Sequence, residues 1–588
     1  MKLDPTTMPD WQIAQIAEQN LRPIADVAAD AGLLPNEWFS VDRNLARVDV
    51  HAVQQRLGNA PQRAKYINVT AINPTPLGEG KTTTTLGLTQ GLAKLGLRPM
   101  CTLRQPSGGP TFNIKGSAAG GGLAQLLPIA PLSLGLTGDI DAVTNANNLC
   151  MAALNARMQH ERNYDDARLA KSNLTRLSID PATVQMRWAI DFCAQGLRNI
   201  VIGKGGSQDG FETDSGFYIS VASEVMAVLA MATGLADLRA RLAKIIVAHS
   251  TSGRPVTAAD LEVDGAMAAW LLRSINPTLM QTLEGQPALV HAGPFANIAI
   301  GQSSVISDLI GAKLADYLVT ESGFGADIGF EKFCNIKCRA TGLTPNAAVL
   351  VTTVRALKAH GGGPAIKPGA KLDSAYTSVN LALLEKGCEN LLAHIGILKN
   401  AGVPPVVSVS VFQTDTPAEH ALIRRVAEAA GARCAVSTHW LNGGDGALEL
   451  ARAVMDAANE PATFKYLSDL SAPLSERIND IVVKVYGGAG VEYTPEARAK
   501  LAKLEANPET ARLPVCMAKT QYSLSHDPAL VGRPTGFTVP IRDLLLYQGA
   551  GFIVPVSGDI KLMPGTASDP AFRRIDVDVE TATVTGLF

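Results

Sequence analysis

Short apolar runs and amphipathic stretches alternate along most of the chain. Residues 66–72 (YINVTAI) are rich in β-branched side chains and predict a strand, and residues 82–95, beyond a turn with proline and glycine, have helical spacing. The same rhythm returns at 199–202, 244–248 and 317–320, with enough residues between the runs for crossover helices. The pattern therefore predicts an α/β fold built on a mostly parallel sheet with helices on both faces.

Further elements and glycine-rich breaks divide the chain into three predicted units. The remaining elements that we predict are helices within residues 1 to about 60, a strand at 348–354, a helix at 378–400, a strand at 405–411 and a helix at 474–485. We place boundaries near the glycines that follow residue 360 and near residue 466. We therefore expect a large domain over residues 1–365 and two smaller α/β domains over residues 366–465 and 466–588.

Composition and charge narrow the class of protein. Of the 588 residues 46% are hydrophobic and 18% are charged, which suits a compact α/β protein, and a net charge of −2 gives no reason to expect nucleic acid or a membrane as partner. The start has no signal-peptide pattern and no long apolar run follows, so we predict a cytoplasmic location. The eight cysteines have no two-pair zinc spacing, which predicts reduced thiols.

The loop from Thr75 to Thr82 (TPLGEGKT) connects the first predicted strand to the helix that follows it. Backbone N–H groups and a helix N-terminus at such a junction hold phosphate oxygens, and glycines let the anion approach the backbone. Lys81 would neutralise charge on the outer phosphates, and the Thr82 hydroxyl would bind Mg²⁺. Thr75 stands where the general pattern has glycine, but the Gly-Lys-Thr sequence and its flanking elements favour phosphate binding. The predicted fold class is therefore similar to that of the P-loop NTPases.

Two more glycine-rich segments follow, at residues 104–110 (RQPSGGP) and 115–122 (KGSAAGGG), and each contains a cation. Read alone, each is as consistent with an ordinary loop as with a ligand site. Arg104 would supply a planar guanidinium to a transferring phosphoryl group. The segment 137–139 predicts an acid at a strand end, and Asp139 would hold Mg²⁺ or orient a nucleophile, with a plain structural role as an equal alternative.

Two aromatic residues stand at the ends of predicted elements in a chain that is only 5% aromatic. Phe412 follows the predicted strand 405–411, and Trp440 precedes a glycine-rich turn. Two such rings would sandwich a flat heterocycle. From composition alone, packing in the core is the commoner explanation.

Several motifs taken together are similar to those of one enzyme family. Residues 75–83 match the phosphate loop Thr-Pro-x-Gly-Glu-Gly-Lys-Thr-Thr, which also accounts for Thr75, and further matches stand at 220–226 (SVASEVM), 323–327 (GFGAD), 331–333 (EKF) and 517–523 (MAKTQYS). From about residue 40 to Phe588 the chain resembles the formate–tetrahydrofolate ligases, also called formyltetrahydrofolate synthetases.

The resemblance implies an activity and a set of ligands. Formate attacks the γ-phosphate of MgATP to give formyl phosphate, which formylates N10 of tetrahydrofolate and yields 10-formyltetrahydrofolate, ADP and phosphate. Lys81 and Arg104 would stabilise the phosphoryl and formyl phosphate charges, Phe412 and Trp440 would stack the pterin, and ATP would contact Thr75, Pro76, Leu77, Gly78, Glu79, Gly80, Lys81 and Thr82. The resemblance also implies a homotetramer, a site for K⁺ or NH₄⁺, and only small-molecule substrates as further partners.

Several positions near these motifs differ from the family's pattern: Gly135 and Asp141 stand in place of histidines beside Asp139, and three more replacements lie elsewhere. Gln105 replaces a glutamate near the monovalent-cation site, Ile300 replaces a histidine, and Asn442 replaces a lysine beside the folate site. Gln105 argues against cation activation. Two alternatives therefore stay open: a diverged paralogue that works mainly in the reverse or formyl-releasing direction, and a nucleotide-binding protein without catalysis.

Overall fold

One large sheet organises most of the molecule. The computed structural model describes residues 3–112, 119–206, 208–210, 212–366, 371–461, 463–558 and 560–587. Within these residues the main path of the sheet comprises, in chain order, β1 (Trp38–Asp42), β2 (Leu45–Val48), β3 (Lys65–Ala71), β4 (Pro99–Leu103), β5 (Thr278–Thr282), β6 (Pro287–Val290), β7 (Tyr317–Glu321), β8 (Ala347–Thr352), β9 (Pro405–Ser410) and β10 (Arg433–Ser437).

The strand order across the sheet is β1-β2-β5-β6-β4-β7-β3-β8-β9-β10. The pairs along β1-β2-β5-β6 are antiparallel, and every later pair is parallel. This arrangement confirms the predicted mostly parallel α/β sheet. Its central strand, β3, is flanked by β7 and β8, and it leads directly into the phosphate loop.

β3 is buried on both sides, so helices cover both faces of the sheet. Tyr66 contributes to one buried cluster, whereas Ile67, Val69 and Ala71 contribute to the other. The longer α-helices of the described residues are Asp10–Glu18, Ile24–Asp30, Val50–Leu57, Lys81–Lys94, Asp139–Asn163, Glu224–Met231, Leu235–Ala243, Asp264–Trp270, Val305–Leu314, Val354–His360, Leu381–Asn400, Pro417–Ala429, Leu448–Ala458, Leu474–Asp480 and Pro495–Ala506. Within the described residues, none of the helices is both long enough and apolar enough to cross a membrane. The cytoplasmic location stays a prediction.

Several predicted elements take a different form. Ile200–Ile202 and Ile246–His249 each belong to a separate two-stranded sheet, so their prediction as strands of the main sheet was wrong. An apolar run indicates a strand but does not name its partner. β4 and β6 occupy sheet positions that we did not predict, and each begins with proline, which is tolerated at the first residue of a strand. Residues 1–60 also include the hairpin β1–β2, not helices alone.

The predicted boundary at residue 365 lies within one continuous sheet. β8 pairs with β9 through five residues, from Ala348–Pro405 to Thr352–Val409, although the two strands belong to different predicted domains. The C-terminal residues have a further buried cluster that includes Leu474, Val482 and Ile553. The division at 365 and 465 stays a prediction. Smaller two-stranded sheets pair Trp188–Ile190 with Phe217–Ile219, Gly490–Tyr493 with Thr538–Ile541, Asp543–Tyr547 with Phe552–Val556 and Asp576–Asp578 with Thr583–Thr585.

Candidate active site

Nearly all the site residues predicted from the sequence lie where the parallel strands end. The carboxyl ends of parallel strands share one edge of a sheet, and ligands bind at that edge in α/β proteins. Arg104 follows β4, Glu321 ends β7 and the phosphate loop follows β3. Phe412 follows β9 and Trp440 follows β10, so the topology brings the predicted phosphate and aromatic residues to one rim.

The phosphate loop has a defined conformation that depends on two glycines. Gly78 and Gly80 have φ angles of 72° and 77°, in the left-handed region that favours glycine. The carbonyl of Thr75 accepts the N–H of Gly78 at 3.1 Å, and Pro76, Gly78 and Gly80 are exposed. Helix Lys81–Lys94 begins immediately afterwards, and the first N–H groups of a helix have no intrahelical acceptor. The loop therefore presents free donors at a positive helix end.

Glu79 shapes the loop from inside. Its buried carboxylate accepts the N–H of Thr75 at 2.6 Å and lies 3.7 Å from the Lys81 ammonium. Burial raises the pKa of Glu79, although the charge of Lys81 partly opposes this effect. Glu79 thus holds both ends of the loop and keeps the ammonium of Lys81 beside it.

A shared carboxylate joins the loop to Arg104. Glu321 accepts the hydroxyl of Thr82 through one oxygen and lies 3.7 Å from the Arg104 guanidinium through the other. A β-carbon at Gly323 would stand 3.0 Å from an Arg104 guanidinium nitrogen, so glycine leaves the room that the arginine occupies. Lys81, Thr82 and Arg104 are therefore held around one partly exposed region at the sheet edge.

The Phe412 ring is supported by a cation. The guanidinium carbon of Arg355 lies 4.1 Å from the ring centroid, in cation–π contact, and Arg355 donates to the Thr414 hydroxyl at 3.2 Å. The N–H of Phe412 donates to Asp415 at 2.9 Å. These contacts fix a half-buried ring at the rim.

Trp440 is tied to the helix of the phosphate loop. Its neighbour His439 is fully buried, lies 3.4 Å from the Thr84 hydroxyl, and would be 2.5 Å from a β-carbon at Gly87, so glycine permits this close approach. Burial lowers the pKa of His439 to about 4, so the imidazole is neutral at pH 7. On its other side the Trp440 carbonyl accepts the N–H of Leu123 at 2.8 Å.

Asp139 is not among the residues gathered at this rim. It begins helix Asp139–Asn163 instead of ending a strand, so its predicted placement was wrong. Its fully buried carboxylate forms an ion pair with Arg47 and accepts the Thr137 hydroxyl at 3.3 Å. These contacts are those of a structural ion pair, and the catalytic role of Asp139 stays a prediction.

Gln105, Ile300 and Asn442, three of the positions that differ from the family's pattern, have different surroundings. Gln105 is buried, and neither polar atom of its side chain has a hydrogen-bond partner within the described structure. Ile300 is fully buried, whereas the exposed Asn442 donates to the Thr438 hydroxyl at 3.0 Å. Lys115 lies outside the described residues.

Sequence reasoning missed two residues of the site. Glu321 directly follows the predicted strand 317–320, and an acid at that position was the signal that could have identified it. Arg355 follows the predicted strand 348–354 in the same way. Neither residue belongs to a local motif, because its contacts are with residues that follow other strands: Thr82 and Arg104 for Glu321, and Phe412 for Arg355.

A glycine-containing phosphate loop at the carboxyl edge of a parallel sheet, with lysine, arginine and carboxylate around it, defines a nucleotide-binding α/β protein equipped for phosphoryl transfer. The sequence model of the formate–tetrahydrofolate ligase family matches residues 8–588. The chain therefore belongs to the formate–tetrahydrofolate ligase family, which confirms the resemblance.

Named relatives are similar over the full length. The chain is 62% identical to a formate–tetrahydrofolate ligase of Dehalococcoides mccartyi over 586 residues, which cover 100% of this chain and 98% of the relative. It is 56% identical to the enzyme of Desulforapulum autotrophicum over 592 residues and 54% identical to that of Syntrophobacter fumaroxidans over 589 residues, with 100% of each chain covered.

Proposed function

We propose that the chain ligates formate to tetrahydrofolate at the expense of ATP, giving 10-formyltetrahydrofolate, ADP and phosphate. The observation that carries the proposal is the shared sheet edge, where the phosphate loop follows β3, Arg104 follows β4 on the other side of β7, and two aromatic residues follow β9 and β10. Family membership over residues 8–588 supports the same reaction. The relatives' names give no support to a formyl-releasing paralogue or a non-catalytic nucleotide-binding protein.

ATP binds with its phosphates on the loop 75–82. The free N–H groups at the start of helix Lys81–Lys94 contact the phosphate oxygens, and the Lys81 ammonium neutralises the outer phosphates. Glu79 keeps that ammonium within 3.7 Å of its own carboxylate, so Lys81 is positioned before the nucleotide arrives.

The hydroxyl of Thr82 and the carboxylate of Glu321 suit Mg²⁺, because both are hard oxygen donors beside the phosphate loop. Bound there with ATP, Mg²⁺ supplies charge neutralisation for the transferring phosphoryl group. The Thr82 hydroxyl and the Glu321 carboxylate would hold this ion, and the contact between them already places both oxygens beside the loop.

Arg104 is the second cation for the transferred group. It lies 3.7 Å from Glu321, a weak pairing that leaves guanidinium donors free for the oxygens of formate and of formyl phosphate. Stabilising the charge that develops during transfer is the main task of a protein in phosphoryl transfer. Asp139 stays a weaker catalytic candidate, because its carboxylate already has partners.

Tetrahydrofolate binds at the ends of β9 and β10. The rings of Phe412 and Trp440 flank the pterin, and Arg355 stiffens the first of them. Formyl transfer to N10 needs the folate beside formyl phosphate, which the common sheet edge supplies. A homotetramer and activation by K⁺ or NH₄⁺ complete the proposal, with cation activation weakened because Gln105 offers a neutral amide.

The direct test is product formation by the purified chain. ATP, formate and tetrahydrofolate together should yield 10-formyltetrahydrofolate, with ADP formed in equal amount, and omission of any one substrate should stop the reaction. Absence of product across a range of K⁺ concentrations would overturn the proposal. Supplying 10-formyltetrahydrofolate with ADP and phosphate measures the reverse direction in the same preparation.

A further inference from the structure

A buried polar cluster lies beneath the start of the phosphate loop and contains residues that the proposed mechanism does not use. Asn73, two residues before Thr75, is fully buried, and the members around it come from distant parts of the chain. These members are Asp327, His360, Asn390, His394, Lys519 and Gln521.

Every polar group of Asn73 has a partner. Its amide nitrogen donates to Asp327 at 3.1 Å and to the carbonyl of Gln521 at 3.4 Å, and its amide oxygen accepts from Asn390 at 2.9 Å. Its backbone carbonyl accepts from His360 at 2.8 Å, and its backbone N–H donates to Asn390 at 3.4 Å. The residue that leads into the loop is therefore held from four sides.

Lys519 supplies the charge that holds this cluster together. Its fully buried ammonium lies 2.7 Å from Asp327 and donates to the carbonyls of Thr520 at 3.0 Å and Ser523 at 2.5 Å. The ammonium also lies 4.8 Å from the centroid of the Tyr486 ring. Lys519 binds the carbonyls of Thr520 and Ser523 in its own turn. This turn places the carbonyl of Gln521 within hydrogen-bond distance of the Asn73 amide.

Asp327 is ionised and has little room to move. Burial alone would raise its pKa, but the Lys519 ammonium and the His394 imidazole 3.4 Å away outweigh burial and lower the pKa to about 2. A β-carbon at Gly325 would stand 2.5 Å from Asp327 and 3.0 Å from His394, so the cluster is closely packed. A displacement of Lys519 would therefore be transmitted to Asn73.

We infer that Asp327 and Lys519 are positioning residues that hold the phosphate loop through Asn73, so that the C-terminal segment 519–523 is a structural part of the nucleotide site. The inference rests on the proposed function in one respect, since it assumes that the loop binds ATP. Small displacements of a binding group remote from the reacting atoms cause large losses of function.

A charge-balanced double variant tests the inference. Asp327→Asn with Lys519→Met removes the ion pair without leaving one buried charge alone, which would destabilise the fold by itself. We expect the Kd for ATP, measured by titration calorimetry without formate or folate, to rise at least about tenfold, while the Kd for tetrahydrofolate stays within about twofold. An unchanged Kd for ATP in the folded variant would overturn the inference.

The matched control is the buried pair Lys337–Asp308, whose ammonium and carboxylate lie 2.6 Å apart and are both fully buried. Its hydrogen-bonded neighbours Tyr66 and Thr102 are outside the loop. Asp308→Asn with Lys337→Met should leave the Kd for ATP unchanged; an equal rise in both double variants would reduce the effect to general destabilisation and overturn the inference.

A second variant keeps the inference testable if the Asp327→Asn, Lys519→Met double variant does not fold. Asn73→Ala keeps the Asp327–Lys519 pair and removes only the side-chain link to the loop, so the Kd for ATP should rise and that for tetrahydrofolate should not. An unchanged Kd for ATP in this variant would also overturn the inference. Wild-type protein that binds ATP without forming product would sink the proposed function alone, whereas wild-type protein that does not bind ATP would sink both.

Discussion

Arg104 pairs with Glu321 and Arg47 pairs with Asp139, and the two pairs differ in how much of each charge is still available. The first pair is 3.7 Å apart with side chains 20% and 10% exposed, whereas the second is in close contact with side chains 4% and 0% exposed. Arg47 also donates to the carbonyls of Thr137, Arg273 and Asn276. A charge with all its partners inside the protein stabilises the fold, and a charge with loose partners can receive a substrate.

The largest expected effect in this comparison is on stability. Asp139→Ala leaves the buried Arg47 guanidinium without its counter-ion, so the free energy of unfolding should fall by about 3–5 kcal/mol. Chemical denaturation measures this loss, and the kcat of the remaining folded protein should be unchanged. A large loss of kcat at unchanged stability would instead make Asp139 catalytic.

In contrast to Asp139→Ala, Arg104→Met should lower the activity of the protein and leave its stability nearly unchanged. Removing one group that stabilises developing charge lowers kcat/KM by about 10²–10³-fold, while stability changes by less than about 1 kcal/mol because the ion pair is loose and Glu321 keeps Thr82 as a partner. Steady-state kinetics and a denaturation curve are measured on the same preparation. Arg104→Lys, which keeps the charge but loses the fork of donors, should recover only part of the activity; full activity in Arg104→Met would remove Arg104 from the mechanism.

A smaller effect is expected for Phe412, which we propose binds tetrahydrofolate by ring stacking and not through a charge. Phe412→Ala removes one stacking face and its cation–π partner, so the KM for tetrahydrofolate should rise about tenfold while the KM for ATP stays constant. The control is Phe39→Ala on the edge strand β1, a ring that is 42% exposed. An equal change in both variants would mean that Phe412 has no specific contact with folate.

The smallest effect concerns Gln105, a neutral residue where the family's pattern has a glutamate. Gln105→Glu introduces a carboxylate at a buried position, where a charge needs a counter-ion, so the reaction rate should become several-fold more dependent on K⁺. Rates measured at constant ionic strength with K⁺ exchanged for a bulky organic cation report this dependence, with Gln105→Met as the uncharged control. A flat K⁺ response in Gln105→Glu would contradict a cation site at this position.

Local sequence was sufficient for the phosphate loop. The run 66–72, the Gly-Glu-Gly-Lys-Thr segment and the helix after it are contiguous, so short-range rules predicted the strand, the loop and the helix within about one residue of their observed ends. The aromatic residues at 412 and 440 were also predictable as residues at strand ends, because β9 and the turn after β10 have clear apolar and glycine patterns.

By itself the sequence determined the fold class, the family and the phosphate loop, since each depends on residues close together in the chain or on a motif of fixed spacing. Only the tertiary structure decided that Asp139 has Arg47 as its partner, that Glu321 joins Thr82 to Arg104, and that Lys519 reaches Asn73 through Asp327. The physical reason is that these contacts join residues more than 90 positions apart, and a buried charge has no preferred partner until the strands and helices around it have packed.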